Sequence, residues 1–452
     1  MIAPLLASWL LVSPGRAEPP SLSITLAQAE TSALAHSPVL KQAASDLAAA
    51  QAQVEAQFAQ LVPRATADGA YQYQSAVPKF SPAPNAPAVS FGAHDNWSIG
   101  PSVSYTLWDQ GALRSAWRSQ KALAGSDEAQ RELVARQVLL ATCLDYFQVQ
   151  LSLEQERSEI DSLRIAEAQF RDIDSRYRAG AANRIYWLSA RENVLSRRRE
   201  ARAAQGDVAV ALRTLFAQTG QTQDLDVSAA IDARVEGETP SGVSTPTVRV
   251  ALEPLELVET RLEPAGRAPV DSAYPRLLVF ERQSEARRLA ARSTAAGEWP
   301  RLQLSYLGRY EYPLLPALER TWQNTLGASA SVPLFEWGRT REQARAQRSQ
   351  AEAADHQRDE AYDELVRDWH QARDRFAALR DQVAVDRDSV AETAEIARLR
   401  YASYRNGAST ITDVETANLN AVEARVLAAR HETQLLIQLA TLASLSSSKE
   451  SP

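Results

Sequence analysis

The residue types that do chemistry are thinly spread along this chain. Its single cysteine, Cys143, lies in the apolar run VLLATCLDYF; with no second thiol it forms no intrachain disulfide and no multi-cysteine metal site, and its setting predicts burial as a small hydrophobe. Of the five histidines, His356 and His370 can share a helix face, but two imidazoles on a charged helix are ordinarily just solvated, so no metal is expected. No phosphate-binding loop, nucleophile elbow or paired-histidine motif is present, which argues against an enzyme and against any cofactor. What remains is the chemistry of helix ends. In RYRAGAANRIYWLSA, Arg176–Ala190, and YRNGASTITDVETA, Tyr404–Ala417, the residues Tyr177, Arg178 and Gly180 recur 227 positions later as Tyr404, Arg405 and Gly407. Gly180 and Gly407 can take the positive φ of a tight turn after a helix. Asn183 in one copy, and Ser409 or Thr410 in the other, can cap the helix that follows. Plain helical hairpins account for the glycines; function would lie in what the hairpins display.

The elements that carry these tips are duplicated along the chain. Pro38 matches Pro275 and Pro63-Arg64 matches Pro300-Arg301 at an offset of 237, while Leu107, Trp108, Asp109 and Gly111 match Leu334, Phe335, Glu336 and Gly338 at 227. The offset changes only across a Pro-rich connection, VPKFSPAPNAPAV, that is longer in the first half. Each half reads as helix, strand, loop, strand, very long helix, turn, helix. The long helices are expected over 110–178 and 338–405, almost free of Gly and entirely free of Pro, and each would be roughly 100 Å long at about 1.5 Å per residue. Near the tips their apolar positions recur every seven residues: Phe376, Val383, Val390, Ala397 and Tyr404 in one, Leu163, Phe170 and Tyr177 in the other, with Ala166 and Ile173 between. That period means coiled-coil packing on neighbouring helices. Second helices are expected over 184–218 and 410–445.

Four segments alternate with period two instead. Over 64–75, Ala65, Ala67, Tyr71 and Tyr73 alternate with Thr66, Asp68, Gln72 and Gln74; over 96–108, Trp97, Ile99, Val103, Tyr105 and Leu107 alternate with serines and Thr106. Over 301–312 the apolar set is Leu302, Leu304, Tyr306, Tyr310 and Tyr312; over 321–335 it is Trp322, Leu326, Ala328, Ala330, Val332 and Leu334. Strands of about eleven residues with one apolar, aromatic-ended face and one polar face fit transmembrane β-strands around a wet lumen, although a soluble half-buried sheet alternates as well. Four strands cannot close a barrel, and an open edge in lipid leaves backbone groups unpaired at several kcal/mol each. If these strands span a membrane, several chains must pool them.

Composition sets the compartment. The 452 residues carry 49 basic and 56 acidic side chains, net charge −7, mixed along the chain; no basic block tracks a phosphate backbone, so nucleic acid is not an expected partner. The N-terminal MIAPLLASWLLVSPGRAEPP has a short apolar run followed by Gly15 and Ala17, the pattern of a signal peptide over 1–17. The first repeat then covers 18–220 and the second 271–445. Between them, 221–270 breaks the periodicity with Pro240, Pro246, Pro254, Pro264 and Pro269. It reads as an equatorial linker, with a wholly flexible connection as the alternative. Residues 446–452 are expected to be a disordered tail.

Together the duplication, the S-P-x-L and P-R pairs bounding a short helix, the LWDQG and LFEWG strand-to-helix junctions and the Y-x-x-G tips resemble the outer-membrane efflux protein family, the TolC-like channels. The likeness covers roughly residues 25–445. It implies a mainly α fold with a membrane β-barrel part: a periplasmic tunnel of long helices plus four transmembrane strands per chain, closing as a trimeric 12-stranded barrel. It implies a passive duct in the outer membrane, contacting outer-membrane lipid, with a periplasmic adaptor (membrane fusion protein) and an inner-membrane transporter of an efflux or type I secretion system as partners. By the same resemblance the tip residues Tyr177, Arg178, Gly180, Arg405, Asn406 and Gly407 would dock the adaptor. Asp413 and Tyr404 fall on the family's gate positions. Thr416 and Tyr186 stand where the family has acidic residues, and Ser409 where it has a basic one, so the gate must differ here. One Asp413 per chain would give a trimer a ring of three carboxylates, which favours cations in a narrow pore. Tyr186 and Trp187 could add an aromatic constriction, with a core-facing role expected for at least one of them. The competing reading is an exported coiled-coil structural or adaptor protein of the envelope, which would not need four alternating strands placed alike in both halves.

Overall fold

The structure is a computed structural model that describes residues 21–80, 89–90, 92–220, 249–252, 255–314 and 318–446. The expected signal peptide, most of the Pro-rich connection, the first part of the linker and the last six tail residues lie outside the described residues. The elements are β1 (Ser21–Ile24), α1 (Leu26–His36), α2 (Pro38–Phe58), β2 (Arg64–Tyr73), β3 (Lys79–Phe80), β4 (Val89–Ser90), β5 (Asp95–Trp108), α3 (Ala112–Arg178) and α4 (Arg184–Thr219). They continue with β6 (Arg249–Leu252), α5 (Leu255–Arg267), α6 (Pro275–Ala295), β7 (Arg301–Leu314), β8 (Glu319–Ser331), α7 (Arg339–Arg405) and α8 (Ile411–Leu445). No described helix is long and apolar enough to cross a membrane. The chain divides into two compact units, one of residues 39–134 and 273–364, the other of the remainder.

The first unit holds one antiparallel sheet in the order β2-β5-β7-β8. Its register keeps the two sequence faces intact across the strands: Ala65 pairs with Val103, Val103 with Tyr306 and Tyr306 with Leu326, so one face is apolar. On the opposite face Asp68 accepts from the Ser102 hydroxyl at 2.7 Å and from that of Thr66 at 3.1 Å. Much of the apolar face is exposed, with Leu326 at 82%. Asn324 shares that face, where its Oδ1 accepts from the Tyr306 hydroxyl at 2.8 Å and the Trp322 indole at 2.9 Å, so the aromatics absorb the polar group. The strand expected over 321–335 ends its pairing at Ser331 opposite Arg301. Pro300 precedes Arg301 and has no N–H to give, so the alternating residues Val332 and Leu334 lack a ladder.

Both junctions into the long helices use a left-handed pair. Gln110 (φ 54°) and Gly111 (φ 79°) in one copy, Trp337 (φ 52°) and Gly338 (φ 77°) in the other, delay the helices to Ala112 and Arg339. The acid before each pair secures the turn. Asp109 accepts from the N–H groups of Gly111 and Leu113 at 2.9 and 2.8 Å, whereas Glu336 accepts from the Arg339 guanidinium at 2.6 Å and from Thr340. Small residues then bring helices close. Ala344, Ala351, Ala354 and Ala361 on α7 are all buried, at seven- and three-residue steps, and Ser119 of α3 reaches the Ala286 carbonyl of α6 at 2.8 Å.

The second unit is built on the antiparallel pairs α3–α4 and α7–α8. Its main core joins Tyr146 and Phe147 of α3, Leu212, Leu215 and Phe216 of α4, and Leu436 and Leu439 of α8, with Leu26 of α1 and Val258 and Leu262 of α5. β1 runs parallel to β6, and the buried Tyr146 hydroxyl donates to the Ile24 carbonyl at 3.0 Å. The described part of the expected linker is therefore packed structure, and the wholly flexible alternative fails for it. Ser446, expected to begin a loose tail, is buried and bridges to Val270. Cys143 is buried, its Sγ donating to Glu30 at 3.1 Å. His356 and His370 are both exposed.

Candidate functional site: the two helix tips

Both tips close with the same backbone device. In the first, Gly180 (φ 73°) donates to the Tyr177 carbonyl at 3.0 Å and Ala181 to Arg176 at 2.8 Å; in the second, Gly407 (φ 76°) donates to Tyr404 at 3.0 Å and Ala408 to Ser403 at 2.9 Å. This paired 5→2 and 6→1 pattern satisfies the last helical carbonyls and needs a left-handed residue, which glycine supplies without strain. Asn183 then caps α4 by accepting from Ile185 N at 3.1 Å. In the second copy Thr410 is the cap, not Ser409: its hydroxyl oxygen accepts from Asp413 N at 3.3 Å, while Ser409 donates to the Arg400 carbonyl at 3.2 Å.

The structure separates the expected gate residues by environment. Asp413 closes a capping box, its Oδ2 accepting from the Thr410 N–H at 2.9 Å and hydroxyl at 2.8 Å. Those two bonds favour the carboxylate and lower its pKa below the ordinary value, the backbone bond most. Thr416 is exposed and returns its hydroxyl to the Thr412 carbonyl at 2.9 Å. Tyr186 is exposed, whereas its neighbour Trp187 turns inward. The Trp187 Nε1–H donates to Asp174 at 2.9 Å, and its ring meets Phe170 at 5.9 Å and Tyr177 at 5.8 Å. Arg178 completes that group by pairing with Asp174 at 2.7 Å. Arg405 and Asn406 are exposed at the other tip.

Beneath both turns lies one shared apolar layer: Ile173 of α3, Ala190 of α4, and Ile411 and Val414 of α8, with Phe170, Trp187, Tyr401 and Tyr404 packed against it. Burial raises the phenol pKa of Tyr404, opposed by Arg176 and reinforced by Asp172 and Tyr186. Residues that the sequence reading did not single out thus hold the tips: Asp172, Asp174 and Arg176. Their one sequence signal is a break in the repeat, since at the 227 offset Trp187 stands opposite Val414 and Arg176 opposite Ser403. Farther along the helices Glu159 and Glu415 are half-buried, and burial is the main cause that raises both carboxyls.

The model of the outer membrane efflux protein family matches residues 31–221 and 273–447, most of the chain and both of its halves. The chain belongs to the outer membrane efflux protein family. Solved structures agree on the fold. An outer membrane protein from Vibrio cholerae, VceC, superposes with a TM-score of 0.72 at 16% identity, covering 93% of this chain and 95% of that one. The CmeC outer membrane channel of Campylobacter jejuni gives 0.71 at 17% identity over 100% and 95%. A membrane protein from Pseudomonas aeruginosa gives 0.71 at 19% over 93% of each. No curated protein matches the chain significantly in sequence. As an outer membrane efflux protein, the chain is an efflux channel subunit of the outer membrane, and the alternative of an envelope coiled-coil or adaptor protein falls away. The family match leaves residues 222–272 between its two parts unmatched.

Proposed function

We propose that three copies of the chain pool their strands into a 12-stranded barrel and their long helices into a periplasmic tunnel, forming a passive duct for cargo delivered by an inner-membrane transporter through a periplasmic adaptor. The observation that carries this is the four-stranded sheet: β2 and β8 are both edges, and one face is a continuous apolar surface with Leu326 bare. In hydrocarbon each unpaired edge group costs several kcal/mol, so the strands must close with other copies. The heptad stripe of α7 supports the helical part: Phe376, Val383, Val390, Ala397 and Tyr404 are all buried or half-buried, while every position flanking them except Ser403 is exposed. The tips carrying Tyr177, Arg178, Gly180, Arg405, Asn406 and Gly407 would meet the adaptor, and Asp413, Tyr404, Thr416, Ser409 and Tyr186 would lie beside the gate. Among these, Asp413 serves first in the capping box of α8, and its ionised form at neutral pH suits a cation-favouring ring. The test is gel migration of the outer-membrane-extracted protein before and after boiling. A trimer that collapses to a monomer only on heating is expected; a monomer in unboiled samples would remove the basis for a shared barrel.

A further inference from the structure

The sheet of the first unit repeats its own pairing. The strand that opens each half recurs at an offset of 237 and the strand that closes it at 227. Moved by these offsets, the pair Arg64–Ser104 of β2 and β5 becomes Arg301–Ser331 of β7 and β8, and Tyr71–Trp97 becomes Gly308–Asn324. Every pair of β2 with β5 lands in this way on an observed pair of β7 with β8. The duplication thus fixes strand register as well as element order. The third pairing, β5 with β7, joins the end of one half to the start of the next. Its image is β8 with β2, and those are the two edges of the sheet, so one chain cannot make it.

The backbone determines which residues wait at those edges. The Gln74 N–H donates to the His94 carbonyl at 2.7 Å, continuing the ladder past Tyr73–Asp95, and antiparallel strands alternate hydrogen-bonded with non-bonded pairs. Even-numbered residues of β2 are therefore bonded to β5, while Ala65, Ala67, Gly69, Tyr71 and Tyr73 turn their N–H and C=O groups outward. Carried across β5 and β7, the same alternation bonds the odd-numbered residues of β8 to β7 and turns Leu326, Ala328 and Ala330 outward. Val332 and Leu334, past the end of β8, belong to that outward set. Pro333 between them belongs to the other set, so its missing N–H would face β7 beyond Arg301 and costs the free edge nothing.

We infer that the seam between copies takes the register of β5 with β7, so that Leu326 stands opposite Tyr73 of the next copy, Ala330 opposite its Gly69 and Val332 opposite its Ala67. These are the images of Ile99–Tyr310, Val103–Tyr306 and Tyr105–Leu304. The inference rests on the shared-barrel reading above and adds where each strand meets its partner. The alternation agrees with it, because outward residues meet outward residues. A slip of one residue would set free positions against bonded ones and Leu326 against Gln72 or Gln74. A slip of two keeps the bonds but loses the stagger that β5 and β7 show, and a closed barrel ties stagger to strand tilt and barrel size. On the polar face Ser331 comes opposite Asp68, the carboxylate that already accepts from Thr66 and Ser102. Val332 gains the partner it lacks in its own chain, so the alternation that runs past Ser331 in the sequence marks the reach of the next copy's strand.

The test is cysteine cross-linking of the full-length protein in outer membranes. A hydrogen-bonded antiparallel pair holds its Cα atoms about 5.5 Å apart, which a disulfide spans. A shift of two residues stretches that to about 9 Å, which it does not. Under mild oxidation Val332→Cys/Ala67→Cys should give a trimer that survives boiling and falls to monomer only with reductant. Val332→Cys/Ala65→Cys and Val332→Cys/Gly69→Cys should link roughly tenfold less. Single-cysteine variants account for the buried Cys143, and their heat-modifiable trimers show that each change is tolerated. Coexpressed Val332→Cys and Ala67→Cys chains should yield a covalent dimer that neither gives alone, which puts the contact between copies. Leu326→Cys with Tyr73→Cys reads the same register should the first pair fail to assemble. Stronger linkage in either shifted pair, or an intact trimer with no link at Val332–Ala67 and Leu326–Tyr73, overturns the register and leaves the shared barrel standing. A wild type that is monomeric without boiling removes the barrel and the seam together.

Discussion

A methyl group placed on Gly100 should stop the sheet from assembling, while the same change at Gly69, in the strand beside it, should be tolerated. A Cβ built on Gly100 would lie 1.9 Å from the Gly308 carbonyl oxygen, 2.7 Å from its carbon and 3.0 Å from the Cα of Arg309. A carbon needs about 3.3 Å to approach a carbonyl oxygen even in a close contact, so β5 and β7 would have to part by more than ~1 Å. Both neighbours of that contact are backbone, which no rotamer change relieves. β5 is bonded on both sides, to β2 and to β7, so the opening falls inside the sheet. Pro101 already removes one donor there, and two further unpaired groups in hydrocarbon come to roughly 5 kcal/mol or more. That is comparable with the whole stability of many domains. At Gly69 the nearest atoms to a new Cβ, from Ile99 and Ser98, are 3.9 Å away, an ordinary contact. The assay is the amount of heat-modifiable trimer recovered from outer membranes for Gly69→Ala and Gly100→Ala. Near-normal trimer in the first and almost none in the second is expected; equal recovery would show that β5 and β7 do not approach as closely as the structure has them.

Other changes test the tips. Gly407→Ala meets nothing within 4 Å and costs only left-handed strain, about 1 kcal/mol. Gly407→Pro also removes the N–H bonded to Tyr404, so efflux should be lost in a complementation assay while trimer on the gel is kept; parallel loss of both would make the turn a folding element. Trp187→Ala should cost about 2–3 kcal/mol, less than a fully buried tryptophan, and speed amide exchange across 170–190 more than across 400–415. Glu159→Gln should raise the thermal midpoint at neutral pH and leave it unchanged in mild acid. A carboxyl whose folded pKa is raised binds its proton more tightly in the folded state, so its penalty is absent below the unfolded value and grows as pH rises through the folded one. An equal shift at both pH values would point to packing instead. Asp413 has the opposite sign: with its pKa lowered below 3.8, its cap is intact at neutral pH and is lost as pH falls through the folded value. Protection of the amides near Thr410, taken relative to their intrinsic exchange rate at each pH, should therefore fall in acid in the wild type but stay constant in Asp413→Ala.

The strands were legible because alternation has only two phases, and a shift of one residue would have put Tyr306 and Leu326 on the face of Ser305 and Thr325. The same signal ran too far in β8, since Val332 and Leu334 continue the pattern beyond the point where Arg301 offers a partner. Helix starts were blurred by Gln110 and Trp337, whose left-handed backbone leaves no mark in a residue pattern. The glycine turns were readable from the Y-x-x-G repeat, yet the choice of Thr410 over Ser409 as cap depends on a single hydroxyl direction. The contact of the Arg176 guanidinium with the Tyr404 ring, 5.6 Å from its centroid, was hidden for a different reason. It joins residues from opposite halves, and only the packing of Ile173, Ile411 and Val414 brings them together.

The most direct test of the account is single-channel recording with the purified wild-type trimer, its migration on the gel checked beforehand. Discrete conductance steps that favour cations are expected. A correctly assembled trimer that produces no steps would contradict the proposal that three copies of this chain form a pore.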